Sequence, residues 1–392
     1  MNFCGIVCEF NPFHNGHEYI INKAKQMTGD EIICLMSGNF VQRGEPAIQE
    51  KYSRAKNAIY AGANVVLELP TIYACSNAEN FAYGAIKIFK SLNVKHLAFG
   101  VESANLEILQ KIAKIKFENS ITFQNAFKNE IENGINYNTA LKRAISKQIP
   151  GSQVAKILDS PNNILAIEYL TAILKLNAKI IPVPIERIDN GYYSNVSKNQ
   201  YLGASSIREK IINNSDVSKF IPSYAKITNF LNLDCISKFE SLLLYNIRTT
   251  SPKTLSKCYD YNEGIEYRIR KKADTNSSLD KLVSQIQTPR YRATRVKKLI
   301  LYPILNITKS TVSLAQKAKP VSKVLAINKN EKCLLNTHNK HKINLIVTNA
   351  DYNNLSKSQQ KIIDIDLNAS NLYNLVIGNQ NNNDKKTGVL FL

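Results

Sequence analysis

The chain predicts an α/β fold: a parallel sheet with helices on both faces, then a mainly helical region, then a small α/β unit. Three observations carry this. Over the first two hundred residues, short apolar runs alternate with helix-period segments, the signature of βαβ units. The following hundred residues show leucine- and isoleucine-rich helical spacing, as in Phe239–Ile247. The last seventy return to short apolar runs around one helix. At 392 residues the length suggests two or three domains. Boundaries are expected near 215 and 315, giving segments 1–215, 216–315 and 316–392.

The elements follow in order. Phe3–Glu9 is a short apolar run, read as the first strand. His17–Met27 (HEYIINKAKQM) has amphipathic helical spacing. Glu31–Met36 is a second strand, and Tyr52–Ala61 a helix. Asn64–Leu69 is a third strand, stopped by Pro70. Ala78–Leu92 is helical, and His96–Phe99 is a fourth strand ending at Gly100. Residues 105–149 read as helical with weak boundaries. Asn163–Leu176 is a helix, Lys179–Ile185 a fifth strand, and Gly203–Ile212 a helix with Ser205 and Ser206 in its first turn. In the last segment KVLAIN, INLIVTN and LYNLVIG read as strand-like runs, and GNQNNNDKKTG as a loop. No internal repeat is visible.

Composition narrows the class. Hydrophobic residues are 44% and charged residues 21%, a globular balance that excludes disorder as the main state. Mean hydropathy is −0.23 and no run approaches a membrane span. MNFCGIVCEF has no basic start and no small-residue cleavage site, so it reads as a buried strand rather than a signal peptide. A cytoplasmic location is expected. Seven cysteines, an odd count with no CxxC pair, argue against a disulfide framework and a structural zinc site. Cys4 and Cys8 share one face of the first strand, where Cys acts as a small hydrophobe.

The charge is uneven. Residues 1–210 hold 23 basic and 18 acidic side chains, and residues 211–392 hold 28 and 13. Clustered cations gain affinity for polyanions by releasing counterions from phosphates. From Lys281 to Lys309 seven side chains are basic and none is acidic: Lys281, Arg290, Arg292, Arg295, Lys297, Lys298 and Lys309. Tyr291 and Tyr302 lie among them, and Arg268, Arg270, Lys271 and Lys272 follow Tyr267. Arginine and tyrosine together pair phosphates and stack on unpaired bases. A solvated helix face also explains either cluster alone. Both clusters in one half of the chain favour an RNA partner.

The sharpest motif is Glu9-Phe10-Asn11-Pro12-Phe13-His14-Asn15-Gly16-His17, where the first strand gives way to the first helix. In an open parallel sheet, ligands bind outside the carboxyl ends of the strands. Gly16 has no Cβ, which lets a nucleotide approach the backbone. The helix N-terminus offers free N–H groups and partial positive charge to phosphates. His14 and His17 can donate hydrogen bonds to phosphate oxygens as charge develops in a displacement. A helix start with incidental histidines is the bland alternative.

This HxGH turn resembles that of the HIGH-type nucleotidyltransferase superfamily, with its Rossmann-like domain. Such enzymes carry a second, late element gripping the phosphates. Gly203-Ala204-Ser205-Ser206-Ile207-Arg208 is similar to it, with Arg208 in place of lysine. NPFHNGH is followed by SGNFVQRGEPA (37–47), Glu68-Leu69-Pro70, Phe99-Gly100, Ser160-Pro161-Asn162-Asn163 and Arg187. Together these resemble the bacterial tRNA(Met) cytidine acetate ligase family, densely over about 1–215 and more thinly to about 290.

The resemblance implies an ATP-dependent ligase. It would activate acetate as acetyladenylate, releasing pyrophosphate, and acetylate N4 of the wobble cytidine of elongator tRNA(Met), releasing AMP. ATP-binding positions carried over are Val7, Cys8, Glu9, Phe10, Asn11, Pro12, Phe13, His14, Asn15, Gly16, His17, Glu18, Tyr19 and Ile20, then Gly100, Asn162 and Arg187. Ser205, Ser206 and Arg208 join them, with His14 and His17 as the catalytic pair. Arg268, Arg270, Arg290, Arg292, Arg295, Lys297 and Lys298 are the candidate tRNA contacts. Arg43 is either an acetate or phosphate clamp or a partner of Glu45 or Glu50. Mg²⁺ is expected to arrive with ATP, with no metal bound by the protein itself. A nucleotidyltransferase making a small-molecule cofactor is the alternative enzyme, and a nucleotide-regulated RNA-binding protein the alternative without catalysis.

Overall fold

The structure is a computed structural model describing residues 2–102, 105–135, 137–149, 152–188, 200–227, 230–331, 342–379, 384 and 387–392. In chain order the elements begin β1 (Phe3–Cys8), α1 (Asn15–Thr28), β2 (Glu31–Ser37), β3 (Phe40–Val41), β4 (Glu45–Pro46), α2 (Lys51–Tyr60) and β5 (Val65–Leu69). Next come α3 (Thr71–Ala74), α4 (Ala78–Ser91), β6 (His96–Val101), α5 (Leu106–Glu118), α6 (Ile121–Glu132), α7 (Tyr137–Ser146) and α8 (Ser152–Asp159). After them lie α9 (Pro161–Lys175), β7 (Ile181–Glu186) and α10 (Ala204–Ile212). The helical region holds α11 (Leu233–Thr249), α12 (Pro252–Leu255), α13 (Ile265–Ala273), α14 (Leu279–Ile286), α15 (Ala293–Leu305) and α16 (Lys309–Lys317). The chain continues with β8 (Val321–Ile327), β9 (Asn344–Ile346), α17 (Asn349–Asn353), α18 (Lys357–Ile377) and β10 (Leu390–Phe391).

The central sheet runs β10-β8-β5-β2-β1-β6-β7, with β9 paired to β8 off this path. Strands β5, β2, β1, β6 and β7 are mutually parallel. The expected βαβ reading therefore holds for the first five long strands. β8 pairs antiparallel with β5, so the strands after residue 316 extend the edge of this same sheet.

Strand periodicity divides the core. Cys4, Ile6, Ile32, Cys34 and Val66 face α1 and α2, meeting Ile21, Ala24, Ala55 and Ile59. Ile33, Leu35, Leu67, Leu97 and Phe99 face the other way, toward α4 and α9. That second core runs on without a break into Phe239, Leu243, Leu299 and Ile300 of the helical region. A shared apolar core resists relative motion of the parts it joins, because parting them would expose that surface.

One expectation is corrected. LYNLVIG is not a strand: Leu372–Ile377 is the last part of the 21-residue α18. Leu372, Tyr373 and Val376 are buried while Leu375 is 66% exposed, which is helical spacing. A mostly apolar run this short does not let periodicity separate strand from helix. The Ser37–Ala47 segment contains the β3–β4 hairpin, turning at Gly44 with φ +75°. A Cβ on Gly44 would lie 2.7 Å from Lys298 Cγ, so glycine meets both the turn and the packing. Most of the tail loop, and Cys333, lie outside the described residues.

Candidate active site

The site begins where β1 ends. Phe10 takes φ +49°, and the chain then turns through Asn11, whose Oδ1 accepts the Ile48 N–H at 2.7 Å. His14 caps α1: its Nδ1 accepts the Gly16 N–H at 3.1 Å, and His17 Nδ1 accepts the His14 N–H at 3.3 Å. Two accepting Nδ1 atoms assign the Nε2–H tautomer to both neutral rings. The rings stack with centroids 3.6 Å apart. Burial, then neighbouring His14 and Arg187, hold the His17 imidazole well below the usual histidine range. His17 is thus a neutral donor near pH 7. A Cβ on Gly16 would lie 2.9 Å from His14 Cε1. The glycine therefore makes room for the stacked pair as well as for a ligand.

A cavity of about 820 Å³ opens at the carboxyl ends of β1 and β6. From the predicted stretch, Val7, Cys8, Glu9, Phe10, Asn11, His17 and Ile20 line it, as do Gly100, Asn162, Arg187 and Arg208. His14, Gly16 and Tyr19 line a small recess beside it, with Arg187 common to both. Pro12 and Phe13 are buried beneath the turn. Asn15 Nδ2 straps the turn to the Gln200 and Lys219 carbonyls at 2.9 and 3.0 Å, and Tyr224 Oη donates to Glu18 at 2.7 Å.

Arg208 joins the two motifs. Its Nη1 donates to the Asn11 carbonyl at 2.6 Å, and its Nη2 to Ser205 Oγ at 3.3 Å. The N-cap of α10 is Gly203 and makes no side-chain cap. Ser205 and Ser206 are therefore not capping residues, and both are exposed in the first turn. Ala204 lines the cavity, which brings this helix start to the ligand space.

Asn162 and Gly100 both have protein neighbours at the cavity. Asn162 Nδ2 donates to Glu102 Oε1 at 2.6 Å, and Glu102 Oε2 accepts the Asn163 N–H at 3.2 Å. Glu102 thus ties the end of β6 to the start of α9. Gly100 lies under Arg187, whose Cγ would be 3.4 Å from a Cβ there. Arg43 lines the cavity and makes no ion pair among the described residues. Glu45 pairs instead with Lys297 at 2.7 Å, and Glu50 accepts the Tyr52 N–H at the start of α2.

The basic clusters divide. Lys298 is 8% exposed, donates to the Ser76 carbonyl at 3.1 Å, and is pushed down to about 8 by burial. It does not face solvent, so its expected tRNA contact is corrected. Arg295 grips Asp260 through Nε and Nη2 at 2.7 and 2.8 Å and stacks on Tyr291. Arg290 pairs with Glu263, Arg270 with Asp274 and Lys297 with Glu45. Arg268 is exposed, with Nη2 on the Gln285 carbonyl at 3.0 Å. Arg292 is exposed and, with Thr294, lines the same cavity as His17.

Sequence reasoning missed Arg54. It is fully buried in α2 and donates to the carbonyls of Gln49, Glu9, Ser37 and Gly38. One guanidinium thus holds the ends of β1 and β2 that frame the site. Its signal was faint, a lone Arg in an amphipathic helix. Cys4 is pushed up to about 12 by burial, and burial lifts Cys8 too, so neither supplies a thiolate. Among the described residues no group of three or more His, Cys, Asp or Glu is arranged to hold a metal.

Comparison with known proteins gives the family. The family model "HIGH Nucleotidyl Transferase" matches residues 1–388. A tRNA(Met) cytidine acetate ligase of Thermoanaerobacter sp. (strain X514) is 35% identical, over 97% of this chain and 96% of its own. One from Clostridium perfringens is 34% identical, over 96% of each. The crystal structure of Thermotoga maritima TmcAL superposes with TM-score 0.91 at 25% identity over the whole of both chains. The same protein bound with alpha-thio ATP gives 0.89 at 26%, again over the whole of both chains. The chain belongs to the HIGH nucleotidyltransferase family and, within it, to the tRNA(Met) cytidine acetate ligases.

Proposed function

We propose that this protein activates acetate with ATP and transfers the acetyl group to N4 of the wobble cytidine of elongator tRNA(Met), forming N4-acetylcytidine. One observation supports this most: a single cavity is lined by His17 and Arg208 from the nucleotide motifs and by Arg292 and Thr294 from the basic helical region. A small-molecule nucleotidyltransferase has no need for basic helices at its nucleotide pocket. We assign nucleotide activation to 1–215 and tRNA contact chiefly to 216–315, with 316–392 bracing the sheet edge. No helix of the described residues is long and apolar enough to cross a membrane, and the reaction belongs to the cytoplasm, where tRNA is.

The residues divide the work as follows. The triphosphate lies along the start of α1, where free N–H groups and the helix dipole favour it. An acetate oxygen attacks the α-phosphorus, and pyrophosphate leaves. His17 Nε2–H and Arg208 stabilise the charge that builds on the phosphate oxygens. Ser205, Ser206 and the open start of α10 hold the departing phosphates, and Gly100, Asn162 and Arg187 hold the nucleoside. Mg²⁺ arrives as the ATP complex. The cytosine amine then attacks the acetyl carbon of the mixed anhydride, and AMP leaves.

The test is incubation with ATP, labelled acetate and bulk tRNA, with nucleotide products resolved by chromatography. Label in tRNA together with AMP and pyrophosphate is expected. ADP as product would mean an acyl-phosphate route, and label transfer from acetyl-CoA without ATP would end the reading.

A further inference from the structure

Glu9 is out of place in a pocket built for anions. It lines the cavity at the end of β1, beside Arg43 and Arg208. Its Oε1 accepts the Gln42 N–H at 2.9 Å, which aims the carboxylate. Among the described residues Oε2 has no hydrogen-bond partner, and neither arginine forms an ion pair with Glu9. A carboxylate here repels both acetate and triphosphate, so it does not serve to hold them. Of the groups that react, acetate and phosphate only accept hydrogen bonds, whereas the cytosine amine donates. That amine must also lose a proton on acylation. AMP departs as a phosphate ester that carries its own charge and does not require that proton.

We propose that Glu9 receives the hydrogen bond, and then the proton, of the cytosine amine during acetyl transfer. The step balances. The N4–C bond forms, the C–O bond to AMP breaks, AMP leaves with the electron pair, and one N4 proton passes to Glu9 and on to solvent. Burial lifts the Glu9 carboxyl above the usual range, against the pull of the Gln42 N–H, Arg208, Arg54 and Arg43, which suits a base. The inference rests on the acetate-ligase reading above.

The experiment separates the two half-reactions in the full-length protein. Without tRNA, hydroxylamine traps acetyladenylate as acetohydroxamate and needs no enzyme base. With tRNA, label transfer is followed in a single turnover. Glu9→Gln should lower transfer about 10²-fold, and at least tenfold more than it lowers hydroxamate formation. Glu9→Asp keeps a carboxylate and should recover part of the transfer. Wild-type transfer should rise with pH through the Glu9 titration, and the Gln variant should lack that limb. Equal losses in both assays would make Glu9 a residue that positions Arg43 and Arg208 or a metal ion, and would overturn the proposal. Undiminished transfer in Glu9→Gln would also overturn it. Wild-type protein that forms hydroxamate yet never labels tRNA would fail the functional reading itself, whatever Glu9 does.

Discussion

His17 and Arg54 show two ways a single side chain governs the site. His17 lines the cavity and acts through its Nε2–H, the donor left when Nδ1 accepts the His14 N–H. His17→Ala should lower acetate-dependent pyrophosphate exchange by about 10²–10³, with the unfolding midpoint little changed. An unchanged exchange rate would remove the motif from the mechanism. Gly16→Ala should do comparable harm to exchange, because its Cβ would collide with the His14 ring and unseat the stacked pair. Arg54 acts through the backbone. Arg54→Met should destabilise the fold by more than about 3 kcal/mol, since buried carbonyls at the ends of β1 and β2 lose their donor. Chemical denaturation reads this directly, and a near-neutral result would show that water replaces the guanidinium.

Elements are locked to one another by buried polar and charged side chains. α18 docks on the start of α3, just past β5, through Asp366, whose Oδ1 accepts the Thr71 N–H at 2.6 Å. Nearby, Lys51 of α2 bridges Glu68 of β5 and Asp384, each at 2.7 Å. Burial, with Glu68 adding to it, raises the Asp366 carboxyl to about 8. A raised carboxyl holds its proton in the folded state and releases it on unfolding. Its stabilising contribution is therefore complete at acid pH and is lost as pH rises from the ordinary carboxylate range toward about 8. Asp366→Asn keeps an acceptor for Thr71 and cannot ionise. The variant should lose less thermal stability than the wild type between pH 5 and 8, as thermal melts across that range would show. Parallel pH curves for the two proteins would place the titration elsewhere.

Across the whole molecule, basic charge serves two purposes. Arg295 is spent on Asp260, and Arg295→Ala should lower stability more than tRNA affinity. Arg268 and Lys271 are exposed on α13. Replacing both with Glu should weaken tRNA binding and flatten its dependence on log salt by about 2. Hydroxamate formation without tRNA should survive, because that chemistry uses the β1–α1 turn and α10. Normal tRNA binding by the double variant would make this helix face a merely solvated one.

Much was legible in the chain because it depends on local pattern. Apolar runs separated by helical spacing announced the parallel sheet, since period and turn chemistry are written within a few residues. HxGH was legible because strand end, glycine and helix start are contiguous, and SSIR because it opens a helix. Other features were settled only by the fold. Arg43 and Glu45 sit two residues apart, yet Glu45 turns to Lys297 and Arg43 to the cavity. Lys298 looked like its neighbours until packing under the Gly44 hairpin buried it. Arg54, Glu102 and Glu9 acquire meaning from partners brought near by β1, β2 and β6. A sequence specifies which residues can form a strand or cap a helix, because those energies are local. Which charge is buried, paired or left facing a ligand depends on distances between segments far apart in the chain, and those exist only once the core has closed.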